Sequence, residues 1–327
     1  MKIKSTLVAI TTTALCAAMI TTAQAQTRWD LATGYGDGVH HTINIQQFAD
    51  DLQERTNGDL SITVHSGASL FPQGEIHRAV RTGQAQAGEI LMANLGNSNP
   101  LFEIDNIPFL ASDFDSAETL WHVTRDAVDA HLDSEGMKLL FAVPWPPQGI
   151  YSQQAVSGLN DLRGARMRAY SPMTTQLAVQ FQAAPTTVQT PEIPQAFSTG
   201  MIDSMITSPA TGVSSQAWDF VDHYTDVQAW IPKNMVFVNK RAFERLSPEL
   251  QDLVMAAAAD AEARGWEMAI QETEDATARL RAEGMTVNAP SAELRSALEE
   301  VGQEMAAIWA ANSGTEGQDI LQTFFNQ

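Results

Sequence analysis

The chain has 327 residues, with 19 Lys and Arg against 39 Asp and Glu, for a net charge of -20 at neutral pH. Nucleic acid and anionic membrane surfaces are poor partners for such a surface, since both are bound by clustered Lys or Arg that neutralise phosphates. With a single cysteine, Cys16, no disulfide framework can hold the fold, and a chain of this length suits two lobes, because single cores stop growing at about 250 to 300 residues.

The first 25 residues read as a secretory signal peptide, with Lys2 and Lys4, a mostly apolar stretch from Leu7 to Ile20, and the small-x-small site Ala23-Gln24-Ala25. The apolar stretch falls short of the roughly 18 to 20 residues that span a bilayer. Leu15 before Cys16 stands where lipidation wants a small residue. Removal of the peptide takes both lysines and leaves 17 basic against 39 acidic residues, a net charge of -22, and no thiol. No later apolar run approaches a span, so a soluble periplasmic protein is expected.

Strand and helix then alternate. Trp29 to Thr33 is a candidate strand, Ile43 to Arg55 an amphipathic helix closed by Asn57-Gly58, Leu60 to His65 a strand, Glu75 to Arg81 a short helix stopped by Gly83, and Gly88 to Met92 a third strand. Such alternation implies parallel pairing with helices on both faces. Asp113 to Leu132 is a longer helix and Lys138 to Val143 a strand. Trp145-Pro146-Pro147-Gln148-Gly149 is a rigid interruption where the chain changes direction or crosses between lobes.

A second alternating set follows. Asp161-Leu162-Arg163-Gly164 is a turn feeding a strand in which Arg166, Arg168 and Tyr170 alternate with Ala165, Met167 and Ala169. The helix from Ser171 to Phe181 comes next, which puts Arg168 on the lip between strand and helix, where open α/β sheets bind ligands. Pro185 to Thr190 is extended, Pro191 to Ser198 helical, Met201 to Ile206 an apolar strand, and Val236 to Asn239 a strand returning to the first lobe. Pro248 to Ala282 is one helix with only Gly265 inside, roughly 50 Å long at 1.5 Å per residue.

Enzyme signatures are absent: there is no G-x-S-x-G, P-loop or H-E-x-x-H. Adjacent His40 and His41 point to different sides of an element and suggest no metal site. Gly34-Tyr35-Gly36-Asp37-Gly38 lacks the third glycine of a dinucleotide loop. It is either a cleft-mouth loop in which Tyr35 meets a ligand or a plain turn. Arg168 can give a carboxylate two parallel charge-assisted hydrogen bonds; the alternative is an ion pair with a nearby Asp or Glu. Arg163 and Arg166 are either part of that basic cluster or a solvated strand end. Trp145, Gln148, Tyr151 and Tyr170 are pocket-wall candidates or interlobe packing.

Several stretches in order resemble the DctP-type solute-binding proteins of tripartite ATP-independent periplasmic (TRAP) transporters. These are Phe48 to Gly58 with Leu60 to Val64, Ile107-Pro108-Phe109-Leu110, the "D-L-x-G-x-x-x-R" run from Asp161 to Arg168, and Glu192 to Gly200 leading into Thr199-Gly200-Met201-Ile202-Asp203. The resemblance implies an α/β, two-lobed periplasmic-binding-protein fold of type II character, with mixed sheets, a ligand cleft between the lobes and the long C-terminal helix spanning both. Residues 26–150 and about 235–275 would form lobe I, and 151–234 and about 276–327 lobe II. It further implies that Arg168 pairs with a substrate carboxylate. Thr207, Ser208 and Asn234 would fix the remainder of the ligand, Trp218 and Trp230 furnish another wall, and Glu75 reach the ligand or a water unless it is only a charge at a helix N-terminus. Glu89, another carboxylate at an element end, is a weaker candidate.

Two departures from the family pattern bear on the ligand. Tyr151 stands where many members have a second ligand-facing arginine, and Thr207 where many have asparagine. A monocarboxylate with an aromatic or hydroxylated body fits better than a dicarboxylate or a sialic acid. The expected protein is a monomeric receptor that captures a small organic anion, hands it to the membrane permease subunits of a TRAP transporter, and uses no cofactor, metal or catalytic residue. The alternatives are an exported enzyme acting on a small carboxylic acid and the binding protein of an ATP-driven importer.

Overall fold

Two mixed sheets organise the protein in the computed structural model, which describes residues 26–327. The expected signal peptide, with Cys16, lies outside the described residues. Chain order gives β1 (Thr27–Thr33), β2 (Leu60–His65), β3 (Ala87–Leu91) and β4 (Met137–Pro144), then β5 (Gly149–Ser152), β6 (Arg166–Ala169), β7 (Ala184–Thr187), β8 (Ser204–Thr207) and β9 (His223–Thr225), and last β10 (Lys233–Asn239) and β11 (Thr286–Asn288). The first sheet runs β2-β1-β3-β10-β4 and the second β11-β9-β5-β8-β6-β7.

The helices are α1 (His40–Arg55), α2 (Ile76–Arg81), α3 (Phe114–Ser134), α4 (Pro172–Gln180), α5 (Ile193–Ser198), α6 (Pro209–Ser214), α7 (Lys240–Glu244), α8 (Pro248–Ala282), α9 (Ala292–Asn312) and α10 (Gly314–Phe325). Their ends follow local chemistry. Beyond α1 the chain turns through Asn57 and Gly58 with φ of 48° and 84°, a left-handed region that asparagine and glycine tolerate best. Asp113 caps α3 by accepting from Ser116 N at 2.9 Å. Ser247 caps α8, with Pro248 at the first helical position where its missing N–H costs nothing.

Parallel pairing holds for β1, β2 and β3 and for β6, β7 and β8. It fails for β10, which runs antiparallel between β3 and β4, and for β5, antiparallel to both β8 and β9. Both exceptions adjoin a crossing between the sheets. A strand reached by an extended crossing carries no crossover helix to restore its direction. The outward crossing, Trp145 to Gln148, is paired with the return: Trp145 N donates to Pro232 O at 2.8 Å, Gln148 N to Trp230 O at 3.0 Å, and Ala229 N to Gln148 O at 3.0 Å.

The second sheet takes up the chain at Gly149. The last two helices touch both lobes. α10 packs on α3, Trp309 on α9 donates to Pro100 O at 2.7 Å, and Ser291, the cap of α9, donates to Ser157 O at 2.6 Å.

α8 is the third connection, packing on α1 and β4, then on α6, and near its end on β11. It comes close to the first sheet at Gly265. A methyl group there would run into Val143 and lie 2.8 Å from Asn44 Nδ2. Ala is ordinarily preferred over Gly inside a helix by about 1 kcal/mol. In Gly265→Ala the overpacking should exceed that gain and cost about 1 to 3 kcal/mol, read as a lower denaturation midpoint. An unchanged or raised midpoint would show that α8 can slide outward freely.

Candidate functional site

The carboxyl ends of the parallel strands of both sheets converge on one chamber, the position in which open α/β sheets collect ligands. From the first sheet come Tyr35 beyond β1, Gln73 on the turn before α2, Leu91 at the end of β3 and Trp145 beyond β4. The crossings add Gln148 and Pro232. The second sheet gives Arg168 and Tyr170 at the end of β6, Gln189 and Thr190 beyond β7, and Thr207, Ser208 and Thr211 around the end of β8. The chamber and its mouth together hold about 360 Å³ of space free of protein atoms, part of it continuous with solvent.

Arg168 dominates the electrostatics. It is 3% exposed. Its Nε donates to Val188 O at 2.9 Å, its Nη2 reaches Thr190 Oγ1 at 3.4 Å, and the Tyr170 ring lies 5.0 Å from its guanidinium carbon. Nη1 has no protein partner. Among the described residues no Asp or Glu forms an ion pair with it, so the alternative of a structural salt bridge is not what this arginine makes. Burial pulls its pKa down to about 10, opposed by Tyr170, Tyr35 and, least, Glu192. Its two neighbours in the basic cluster differ. Arg166 pairs with Asp203 at 3.0 Å, and Arg163 Nε donates to Gln182 at 2.8 Å.

Of the residues singled out in the sequence, Arg168, Tyr35, Trp145, Gln148, Tyr170, Thr207 and Ser208 share the chamber wall. Gln148 is held there on both sides, donating to Pro146 O at 2.8 Å and accepting from Tyr170 OH at 3.2 Å. Four candidates do not line it. Glu75 is exposed and pairs with Arg78 at 2.6 Å. It sits two residues past Gln73 on a tight turn, where neighbouring side chains diverge, so Gln73 faces inward in its place. Tyr151 lies beneath the wall and donates to Ser208 O at 3.1 Å, with Gly212 leaving room for its hydroxyl. Trp230 is fully buried behind it. Asn234 stands behind Tyr35 and Trp145, accepting from Trp145 Nε1 at 2.8 Å.

The wall also contains Gln73, Asn94, Gln189, Thr190 and Thr211, which no sequence signal marked. His40 and His41 do not point apart as expected. Both sit in the first turn of α1 with ring centroids 4.1 Å apart and pack on Trp145. Burial holds both well below the usual histidine range, His40 also because of His41, so the 3.3 Å approach of His41 to Glu89 joins a neutral imidazole to a carboxyl group. No cluster among the described residues could hold a metal ion.

The model of bacterial extracellular solute-binding protein family 7, DctP, matches residues 34–312. Two Bordetella pertussis extracytoplasmic solute receptors binding pyroglutamic acid superpose on the chain. One has 46% identity and a TM-score of 0.90 over 91% of this chain and 99% of its own. The other has 40% identity and a TM-score of 0.91 over 92% and 100%. A marine metagenome TRAP solute-binding protein specific for pyroglutamate shares 34% identity, with a TM-score of 0.91 over 92% and 99%. Among curated sequences, the 2,3-diketo-L-gulonate-binding periplasmic protein of Escherichia coli is 28% identical over 80% of each chain.

Glu89, behind the chamber, is raised from 4.5 to about 7 by burial, although Thr33 and Asn234 donate to it. A raised carboxyl keeps its proton in the folded state after the unfolded chain has lost it, so its contribution to stability falls as pH rises from about 4.5 to about 7. The buried neutral histidines have the opposite sign and cost stability as pH falls below 6.5. Glu89→Gln removes one falling contribution. The melting temperature of the variant minus that of the parent should therefore climb between about pH 5 and pH 7.5. A difference independent of pH would mean that Glu89 titrates as an ordinary carboxyl.

Proposed function

The chain belongs to bacterial extracellular solute-binding protein family 7, the receptors of TRAP transporters, and on that premise we propose that its ligand is pyroglutamate or a similarly small cyclic monocarboxylate. One observation carries this reading: Arg168 is a buried cation on the wall of a small chamber, with an Nη1 that no protein group satisfies. Burying an unpaired charge costs several kcal/mol, and a ligand carboxylate removes that cost. A single unpaired cation matches a single negative charge. Tyr35, Trp145 and Tyr170 supply faces for a ring, and Thr207 and Ser208 supply polar contacts.

The receptor works by capture and release. The lobes, built on the two sheets, close over the acid and present it to the permease subunits, and export by the signal peptide puts a monomer in the periplasm. The family is one of binding proteins, and Glu89, a buried carboxyl behind the chamber, is engaged by Thr33 and Asn234, which supports a receptor over an enzyme. The family match favours this receptor over that of an ATP-driven importer.

Calorimetric titration with L-pyroglutamate, beside melting curves, tests the assignment. Wild-type protein should bind and be stabilised. Arg168→Ala should weaken binding by about 2 to 5 kcal/mol, roughly thirty-fold to several thousand-fold. Without ligand the variant should melt no lower than wild type, since a desolvated cation has been removed. Arg168→Lys should recover only part of the affinity, lacking the two-pronged donor. Near-wild-type affinity in Arg168→Ala would remove the arginine from the mechanism.

A further inference from the structure

We infer that Gln73 is a specificity-determining residue whose amide oxygen, fixed by a directed hydrogen-bond relay starting at Glu89, selects acids that carry an N–H or O–H donor beside the carboxylate. The inference rests on the reading of the chamber as a carboxylate site and adds the second half of what that site recognises.

The direction of the relay is anchored by Trp145 Nε1, a group that can only donate. Glu89 receives Thr33 Oγ1 at 2.5 Å and Asn234 Nδ2 at 2.9 Å. Asn234 thus has its amino group on Glu89, and its oxygen faces Trp145 Nε1, a group that can only donate, at 2.8 Å. The Tyr35 hydroxyl lies 3.5 Å from that same oxygen and accepts from Gln73 Nε2 at 3.0 Å. With its amino group engaged, Gln73 has its Oε1 left buried without a protein partner, on the wall of the chamber.

Packing fixes the side chain independently of the relay. Gln73 is 6% exposed and lies flat on Gly34, where an added methyl would come within 2.8 Å of its amide carbon. The chamber therefore offers two unsatisfied groups from opposite lobes, a cationic donor at Arg168 Nη1 and a neutral acceptor at Gln73 Oε1. A matching ligand brings a carboxylate to the first and a donor to the second. A ring N–H bonded to the carbon that bears the carboxylate meets that requirement. A ring oxygen in the same place sets a lone pair against Oε1, and rejecting the analogue that lacks a hydrogen-bonding group is what a buried polar site does well.

The test titrates wild-type protein and Gln73→Met with two matched pairs, L-pyroglutamate against its ring-oxygen analogue 5-oxotetrahydrofuran-2-carboxylate, and L-lactate against 2-methoxypropanoate. Wild type should prefer the donor-bearing member by roughly 10- to 100-fold. Gln73→Met should lose most of that preference by binding the donor-bearing acid more weakly, while the affinity for the partner analogue changes by less than about threefold. Equal wild-type affinities within any pair that binds, or an equal loss for both members in Gln73→Met, would overturn the role of Gln73. Discrimination within the lactate pair alone, with pyroglutamate not bound, would sink the ligand assignment and leave the selection rule standing. Binding of none of the four acids would overturn both.

Discussion

A guanidinium group shut into a protein interior without a counter-charge is the constraint from which the rest of this structure is best understood. Arg168 keeps two of its donors busy with Val188 O and Thr190 Oγ1, both polar but neutral. These contacts hold its plane without cancelling its charge. The cost of that charge depends on how completely the lobes enclose it, because desolvation grows as water leaves. Closure and anion binding are therefore coupled. The enclosed arrangement is unfavourable with the cation alone and favourable once an anion shares the space, which is how a ligand shifts a population between two conformations.

The same residues that connect the lobes also line the chamber. Trp145 and Gln148 lie on the outward crossing and Pro232 on the return, joined by three backbone hydrogen bonds. Three prolines, Pro146, Pro147 and Pro232, restrict φ where the chain crosses. A change in the angle between the lobes is thus felt directly by part of the wall, with no intervening transmission. α8 adds a continuous connection over 35 residues, held to the first sheet by the close approach at Gly265.

The strong elements were legible because their signals are local. The β6 strand, the proline crossing, the starts of the helices at Asp113 and Ser171 and the full extent of α8 all follow from patterns within a few residues. The lobes' completing pieces were not. β5, β9 and β11 have 4, 3 and 3 residues, too few to establish a period, and exist because neighbours supply their partners. The antiparallel direction of β10 is a property of the crossing. At the site, seven predicted residues meet because strand ends converge. Glu75 faces solvent while Gln73, two residues before it on the same turn, lines the chamber against Gly34, 39 positions earlier in the chain. Tyr151 and Asn234 matter to the site as supports, which a motif cannot distinguish from contacts.

That an acidic protein holds an anion needs a physical reason. Exposed carboxylates act through water and salt, and beyond a Debye length of about 8 Å their fields are largely screened. Their repulsion falls mainly on the approach of the ligand, hence on the association rate. Inside the chamber the relevant charges are few and close, and they sum to one cation facing neutral hydroxyl, amide and aromatic groups. A monoanion neutralises that set. A second carboxylate would enter a dry space with no second cation, since Tyr151, where many members of the family carry an arginine, spends its hydroxyl on Ser208 O. Leaving one charge buried and unpaired costs several kcal/mol. The proposed selection of a small monocarboxylate therefore rests on the count of buried charges at the site, and the net charge of the whole chain has little bearing on it.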